Sequence, residues 1–263
     1  MTINYPLYKG KINLEFDDRQ HRYSVKGKTV YGVTSITGVI AKNGLMYWAA
    51  NMGAEMFLKN VKAGVALDEV QIKQLADLIK TAHTQKKETA ADLGSMIHDW
   101  LDQFLKAGIA KKPLPKMPIN PEMRNAIKSF LDWTKKNKVK FIQTERKVYS
   151  LKYKYAGTCD GIAMVNGKPT IIDFKTGNAV YPEMFLQTVA YQAALQEETG
   201  KKFTHNLVLR LSKEDKTKGV KPFEVIETIN HAENFKTFLA AKQIYEWQMA
   251  NKKVEIINKV NGK

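Results

Sequence analysis

Cysteine is nearly missing from this chain: its 263 residues contain only Cys159. That excludes an intrachain disulfide and any zinc or iron–sulfur site built from cysteines alone, and it fits a reducing, intracellular setting. No apolar run approaches the ~20 residues that a membrane-spanning helix needs. The opening Met1-Thr-Ile-Asn-Tyr-Pro6 lacks the basic-then-apolar layout of a secretory leader. The expectation is a cytoplasmic protein with no membrane partner. No Gly-x-x-x-x-Gly-Lys-Ser/Thr loop occurs, so neither a helicase nor an ATPase is expected, nor a nucleotide cofactor. Arginine is scarce as well: Arg19, Arg22, Arg124, Arg146 and Arg210 are all there are.

Lysine is what the chain has in excess. The formal net charge is +16 and the isoelectric point is near 9.6. A lysine-rich solvated surface explains part of this. The sharper reading is a polyanionic partner, because cations that neutralise a phosphate backbone release its counterions. Lysine is a point charge suited to following phosphates, whereas arginine makes the bidentate base contacts that read sequence. The balance predicts sequence-tolerant binding. A membrane surface is a weaker alternative, since no basic amphipathic helix stands apart from the rest. Hydrophobic residues at 44% and aromatics at 10% are sufficient for a packed core.

No internal repeat is present. The first forty residues read as β, with Asn13–Asp17, a turn at Asp17-Asp18, and His21–Val25 alternating toward Gly27. From Leu45 to about Ala107 the spacing becomes helical through Trp48, Met52 and Met56, with one long helix expected from about Thr84 to Leu105 and a stop at Gly108. Lys111–Pro121 holds four of the eight prolines and is the candidate linker. Pro121 opens a helix to about Lys136. Strands follow at Lys140–Ser150, Tyr155–Val165 and Thr170–Lys175, with a strong hairpin signal at Asn166-Gly167. A helix at Tyr181–Glu198, strands at Thr204–Leu211 and Phe223–Thr228, and a helix at about Ala232–Asn251 complete the order, before a basic, weakly patterned tail from Lys252. This predicts a mixed α+β fold, a mixed sheet flanked by helices. Residues 1–120 would form an N-terminal β-hairpin and helical lobe, and residues 121–263 the core.

Asp173-Phe-Lys175 is the first candidate for chemistry. Residues two apart on a strand share a face, so Asp173 and Lys175 project together while Ile172 and Phe174 face away. The acid-x-Lys pattern alone is weak, for Glu145-Arg-Lys147 and Glu214-Asp-Lys216 match it too. Thirteen residues earlier, Gly157-Thr-Cys-Asp160-Gly161 puts Asp160 on the neighbouring strand of the predicted hairpin, and the glycines are expected to leave room for a substrate backbone. Two carboxylates from adjacent strands can hold Mg²⁺, which keeps waters and takes phosphate oxygens besides. Lys175 would then orient the attacking water or stabilise charge on the phosphate. A turn aspartate beside an edge-strand ion pair remains open. Gln187 and Tyr191, four apart, share a face of the following helix, and Gly94 lies one turn from His98 on the long helix.

The set Gly94…His98, Glu145, Gly157-x-x-Asp160, Asp173-Phe-Lys175 and Gln187-x-x-x-Tyr191 resembles the PD-(D/E)XK nuclease superfamily. It is most similar to the RecB-type branch and to the phage and mitochondrial genome-maintenance exonucleases grouped with it. The likeness covers about residues 90–250. His21–Gly27 and Val33–Thr37 are similar to the N-terminal part of phage members as well. The resemblance implies a restriction-endonuclease-like core and metal-dependent cleavage of DNA, single-stranded or at duplex ends, in replication, recombination or repair within a bacterial or phage-infected cell. It implies one or two Mg²⁺ or Mn²⁺ ions held by Asp160, Asp173, the Phe174 carbonyl and His98, with Lys175 catalytic. Gln187, Tyr191 and Glu145 would contact DNA or support the site, although Glu145 could equally be a partner of Lys147. The name-giving Pro-Asp is replaced by Cys159-Asp160, and the four-cysteine iron–sulfur cluster of some members is impossible here. Exonuclease is preferred to a structure-selective endonuclease, or to a non-catalytic module of a recombination complex. A recombination or replication protein is a further expected partner.

Overall fold

Four short runs in the first thirty-two residues alternate their side chains between two faces, and in the computed structural model of the chain each run is a strand. They are β1 (Thr2–Leu7), β2 (Ile12–Asp17), β3 (Arg22–Val25) and β4 (Lys28–Gly32), paired as an antiparallel meander. One face of it buries Leu7, Leu14, Phe16 and Tyr23. The structure describes residues 1–40, 43–177, 179–212 and 221–260, apart from the side chains of 43, 45, 85–92, 122 and 253–260. The Glu214-Asp-Lys216 match therefore lies outside the described residues.

Contacts divide the chain into two units, 1–40 with 98–263, and 41–97. The smaller unit holds α2 (Asn43–Asn60) and the first part of α3 (Glu69–Ile109), packed where the missing side chain of Gly53 admits Ile79. Helix α3 is much longer than the expected Thr84–Leu105, because Val70, Ile72 and Leu78 in its early turns are exposed and give no apolar stripe to read.

The larger unit continues from β4 into the short α1 (Val33–Thr37) and, after α3, into α4 (Pro121–Lys136). Asn120 caps α4 by accepting from the Met123 amide, and Pro121 sits in the first turn, where its missing N–H costs nothing. The proline-rich segment before it is no linker between units. It lies within the larger one, where the Trp100 indole donates to the Lys116 carbonyl at 2.8 Å. The boundary expected at residue 120 is thus not where the contacts divide the chain, since residues 1–40 join the same sheet as the core.

That sheet has nine strands. β5 (Lys140–Ser150), β6 (Tyr155–Val165) and β7 (Lys168–Lys175) are antiparallel, and β8 (His205–Leu211) runs parallel to β7 with β9 (Phe223–Glu227) antiparallel beyond it. The Asn166-Gly167 turn takes positive φ at both residues, 50° and 80°, as a tight hairpin of this twist requires. Helices α5 (Pro182–Thr199) and α6 (His231–Val260) contribute to one apolar core with Tyr155, Ile171, Leu186, Ala190 and Phe238. Gly200 ends α5 in the left-handed conformation at φ 69°. Helix α6 runs past the expected Asn251. The opposite side carries an aromatic cluster in which Phe130 of α4 meets Phe174, Phe141 and Phe223. Among the described residues no helix is long and apolar enough to cross a membrane.

Candidate active site

The edge of β6 is shared by two strands. β4 runs parallel to its start, Tyr31 beside Tyr155 and Gly32 beside Ala156, while β7 pairs with its end from Gly161 opposite Ile172 onward. Residues 157–160 lie between the two and pair with neither. Asp160 and Asp173 are the next residues outward from the Gly161–Ile172 pair, so the pleat places both carboxylates on one face. The strands part here, and the Phe174 amide donates to Asp160 Oδ2 at 2.7 Å in place of a ladder bond. On an extended strand a residue's N–H and C=O leave the same edge, so the Phe174 carbonyl is directed to this side too. Lys175 Nζ is ion-paired with Asp173 Oδ2. Ile172 and Phe174 face away, as the alternation predicts, and the Phe174 ring packs edge-on against Phe130.

Two acids this close cannot both ionise freely. Asp173 is 1% exposed. Asp160 keeps some access through the cavity but is otherwise enclosed by protein. That enclosure, together with the charge of Asp173, pushes its carboxyl up to about 8, against the opposing pull of Lys175 and the Phe174 amide. Burial alone would lower Lys175, but the two aspartates more than offset it and hold the ammonium above the ordinary lysine value.

Around these three groups lies a cavity of about 440 Å³. Its walls include the other sequence-predicted residues, His98, Glu145, Gln187, Tyr191 and Phe174. Gln187 is buried, with its amide nitrogen donating to Thr37 at 3.1 Å and its Oε1 lacking a donor among the described residues. Tyr191 is also buried. Its ring fills the space at Gly157, where a Cβ would come within 2.7 Å of the Tyr191 Cε1 and 3.0 Å of Val33. A Cβ at Gly161 would meet Phe141 and Ile172. The expectation that these glycines leave room for a substrate backbone is therefore corrected: they admit protein side chains. Glu145 lies on β5 between Thr144 and Arg146, whose partners Gly161 and Cys159 flank Asp160 on β6; its φ is 50°, left-handed within a strand, and its carboxylate lies 3.6 Å from Lys147 Nζ. It lines the cavity and pairs with Lys147.

Sequence reasoning missed the N-terminal meander's contribution. Phe16, Asp18, His21 and Tyr23 line the same cavity, with the Tyr23 hydroxyl 2.7 Å from Thr158 Oγ1. No local pattern announces this, because it depends on β4 meeting a strand far along the chain. The Leu14-x-Phe16 spacing in β2 is the local signal that could have placed Phe16 on an inward face. Lys147, 8% exposed, was legible only as a partner of Glu145, since nothing local marks one lysine among many as buried.

The donor set can be tested against a divalent metal. Among the described residues no three His, Cys, Asp or Glu side chains converge to hold an ion, so His98 reaches the cavity wall without forming the expected cluster with Asp160 and Asp173. Two carboxylates do converge. Asp173 Oδ2 is buried and is met by the Lys175 ammonium, with no further donor among the described residues. One or two carboxylates, a carbonyl and open space for water suit Mg²⁺, which retains much of its own hydration.

No protein-family model matches the sequence, and no curated protein matches it significantly. The solved structure of SSO0001 is similar to this chain at a TM-score of 0.32 and 13% identity, covering 78% of this chain and 87% of that one, a likeness too low to carry an argument.

Proposed function

We propose that this chain is a Mg²⁺- or Mn²⁺-dependent deoxyribonuclease of the PD-(D/E)XK, RecB-like type, working from DNA ends or on single strands in the cytoplasm. One observation carries the reading: Asp160, Asp173 and Lys175 meet at a parting of two strands, on the floor of an open cavity. Asp160, Asp173 and the Phe174 carbonyl would hold the ion. A divalent ion bound there supplies Lewis-acid polarisation of a phosphate and lowers the pKa of water. Lys175, kept charged by both aspartates, donates hydrogen bonds to the attacking water or to the phosphate oxygens that gain charge. Tyr191 acts by position, since its ring fixes β6 beside Asp160 through Gly157. The lysine-rich composition supports a polyanionic substrate taken without strong sequence preference.

The test uses single- and double-stranded DNA labelled at the 5′ or 3′ end, incubated with Mg²⁺, Mn²⁺ or EDTA. Wild-type protein should degrade DNA only with metal, and Asp173→Ala and Lys175→Ala should each lose at least about a hundredfold in rate. Equal activity of the variants and wild type would sink the assignment. A ladder growing from one end marks an exonuclease, and cleavage of circular DNA an endonuclease. A weaker Mn²⁺ response in His98→Ala, with an unchanged melting curve, would assign that histidine to the metal.

A further inference from the structure

Lys147 is an unusual cation for this protein. Its side chain is nearly as buried as a core residue, yet its only carboxylate partner among the described residues, Glu145, stands off at 3.6 Å and is itself 41% exposed. Other cations are held closer: Arg146 by Glu198 at 2.6 Å, Lys106 by Asp102 at 2.6 Å and Arg210 by Glu224 at 2.7 Å. A charge-assisted bond of ordinary strength is about 2.7–2.9 Å. The Lys147 ammonium instead lies over the Phe16 ring at 4.8 Å and the Tyr5 ring at 5.7 Å, faces that attract a cation but accept no proton. Glu145 reaches it only from a left-handed backbone.

The place of this lysine is equally specific. Glu145 and Lys147 line the cavity of Asp160, Asp173 and Lys175, and they also line a second cavity of about 350 Å³. That second cavity lies along β5, the strand that pairs only with β6, and its wall includes Lys106 and Arg146. Burial pushes Lys147 down from the ordinary lysine value; the charges of Glu145 and, less strongly, Asp18 oppose this, and Lys106 adds a smaller repulsion. Lys106 and Arg146 already have carboxylate partners, so it is the loosely met, enclosed Lys147 ammonium that an incoming anion would stabilise.

We propose that Lys147 is a phosphate-binding residue for the substrate strand, and that a backbone phosphate next to the scissile one displaces Glu145 from its ammonium as the strand passes from the first cavity into the second. The assignment rests on the nuclease reading for the identity of the strand, and it adds the path and the residue that holds it. Lys147 is a binding residue here and takes no part in bond breaking. Glu145 is its internal competitor.

The experiment measures binding of a fluorescent single-stranded oligonucleotide between 50 and 300 mM salt, in EDTA so that cleavage does not intervene. Lys147→Met, which keeps the buried chain and removes the charge, should weaken binding on the order of tenfold at the low end and reduce the slope of log affinity against log salt by about 0.7. Glu145→Gln, at a half-exposed position, should bind more tightly than wild type. Lys147→Arg should restore most of the slope. A purely structural lysine would lower the thermal midpoint without changing the slope, and a Lys147→Met slope equal to wild type would overturn the proposal. So would a Glu145→Gln protein that binds no more tightly, which keeps the test decisive if Lys147→Met does not fold. If wild type retains no polynucleotide either in EDTA or with Ca²⁺ in place of Mg²⁺, the nuclease reading falls with it; if wild type binds and the Lys147 and Glu145 variants behave identically to it, only this assignment falls.

Discussion

The Tyr191 ring occupies the space of the side chain that Gly157 lacks, with only 2.7 Å from its Cε1 to an ideal Cβ at that position. A helix is thereby seated on the strand that carries Asp160, at the point where that strand has lost its neighbour on one edge.

Gly157→Ala should cost about 1–3 kcal/mol, the range for overpacking a filled core. The contact is with a buried ring and with Val33, neither of which is a flexible chain end. Urea denaturation checks the size. Adding Tyr191→Leu to the alanine variant should recover part of the loss, because the two changes share one contact.

The Asp160 carboxyl predicts an inverted pH dependence. Its folded value, about 8, lies above the ordinary 3.8. Between those values the native state holds one more proton than the unfolded chain, so stability falls as pH rises from about 4 to about 8. Thermal midpoints of the metal-free protein should follow that slope, and Asp160→Asn should flatten it. If the site takes Mg²⁺ or Mn²⁺, binding near pH 6.5 should release about one proton per ion. Calorimetry in buffers of different ionisation enthalpy reads that number.

Removing Lys175 and removing Asp173 should not be equivalent. Lys175→Met leaves the enclosed Asp173 without its cation, a loss of about 3–5 kcal/mol that should change little between pH 5.5 and 8, because without the lysine's pull Asp160 keeps its proton at both values. Asp173→Asn leaves Lys175 with Asp160 and relieves the repulsion between the acids, so its cost should be less than half as large. Denaturation of both variants at the two pH values measures the asymmetry.

Arg210 secures the chain just beyond the site. It is fully buried and donates to Glu224 at 2.7 Å, to the Lys221 carbonyl at 3.0 Å and to the Gly177 carbonyl at 3.4 Å. Arg210→Met should destabilise on the order of 3 kcal/mol. Arg210→Lys should not restore wild-type stability, since an ammonium cannot reach three acceptors from the geometry of a planar fork.

The acid pair was legible because it depends on a local hairpin. Asn166-Gly167 fixes the register of β6 against β7, and register fixes which side chains stand opposite. Pro121 likewise marked a helix start, at a first-turn position where its missing N–H costs nothing. The meander's place was not legible. Its seam with β6 consists of two residue pairs joining distant parts of the chain, and no nearby residue encodes it. The glycine reading failed for a related reason: a missing side chain announces a close approach without saying whether a substrate or Tyr191 makes it.

That seam has a consequence for how the molecule is made. Tyr31 and Gly32 must wait for Tyr155 and Ala156, which leave the ribosome more than a hundred residues later. The meander can pair with itself in the meantime, but the wall bearing Phe16, His21 and Tyr23 closes over the aspartates only once β6 exists. A nascent chain halted before residue 155 would lack that closure. The emerging chain thus carries no assembled Asp160–Asp173–Lys175 cavity until the strands beyond Tyr155 have been made.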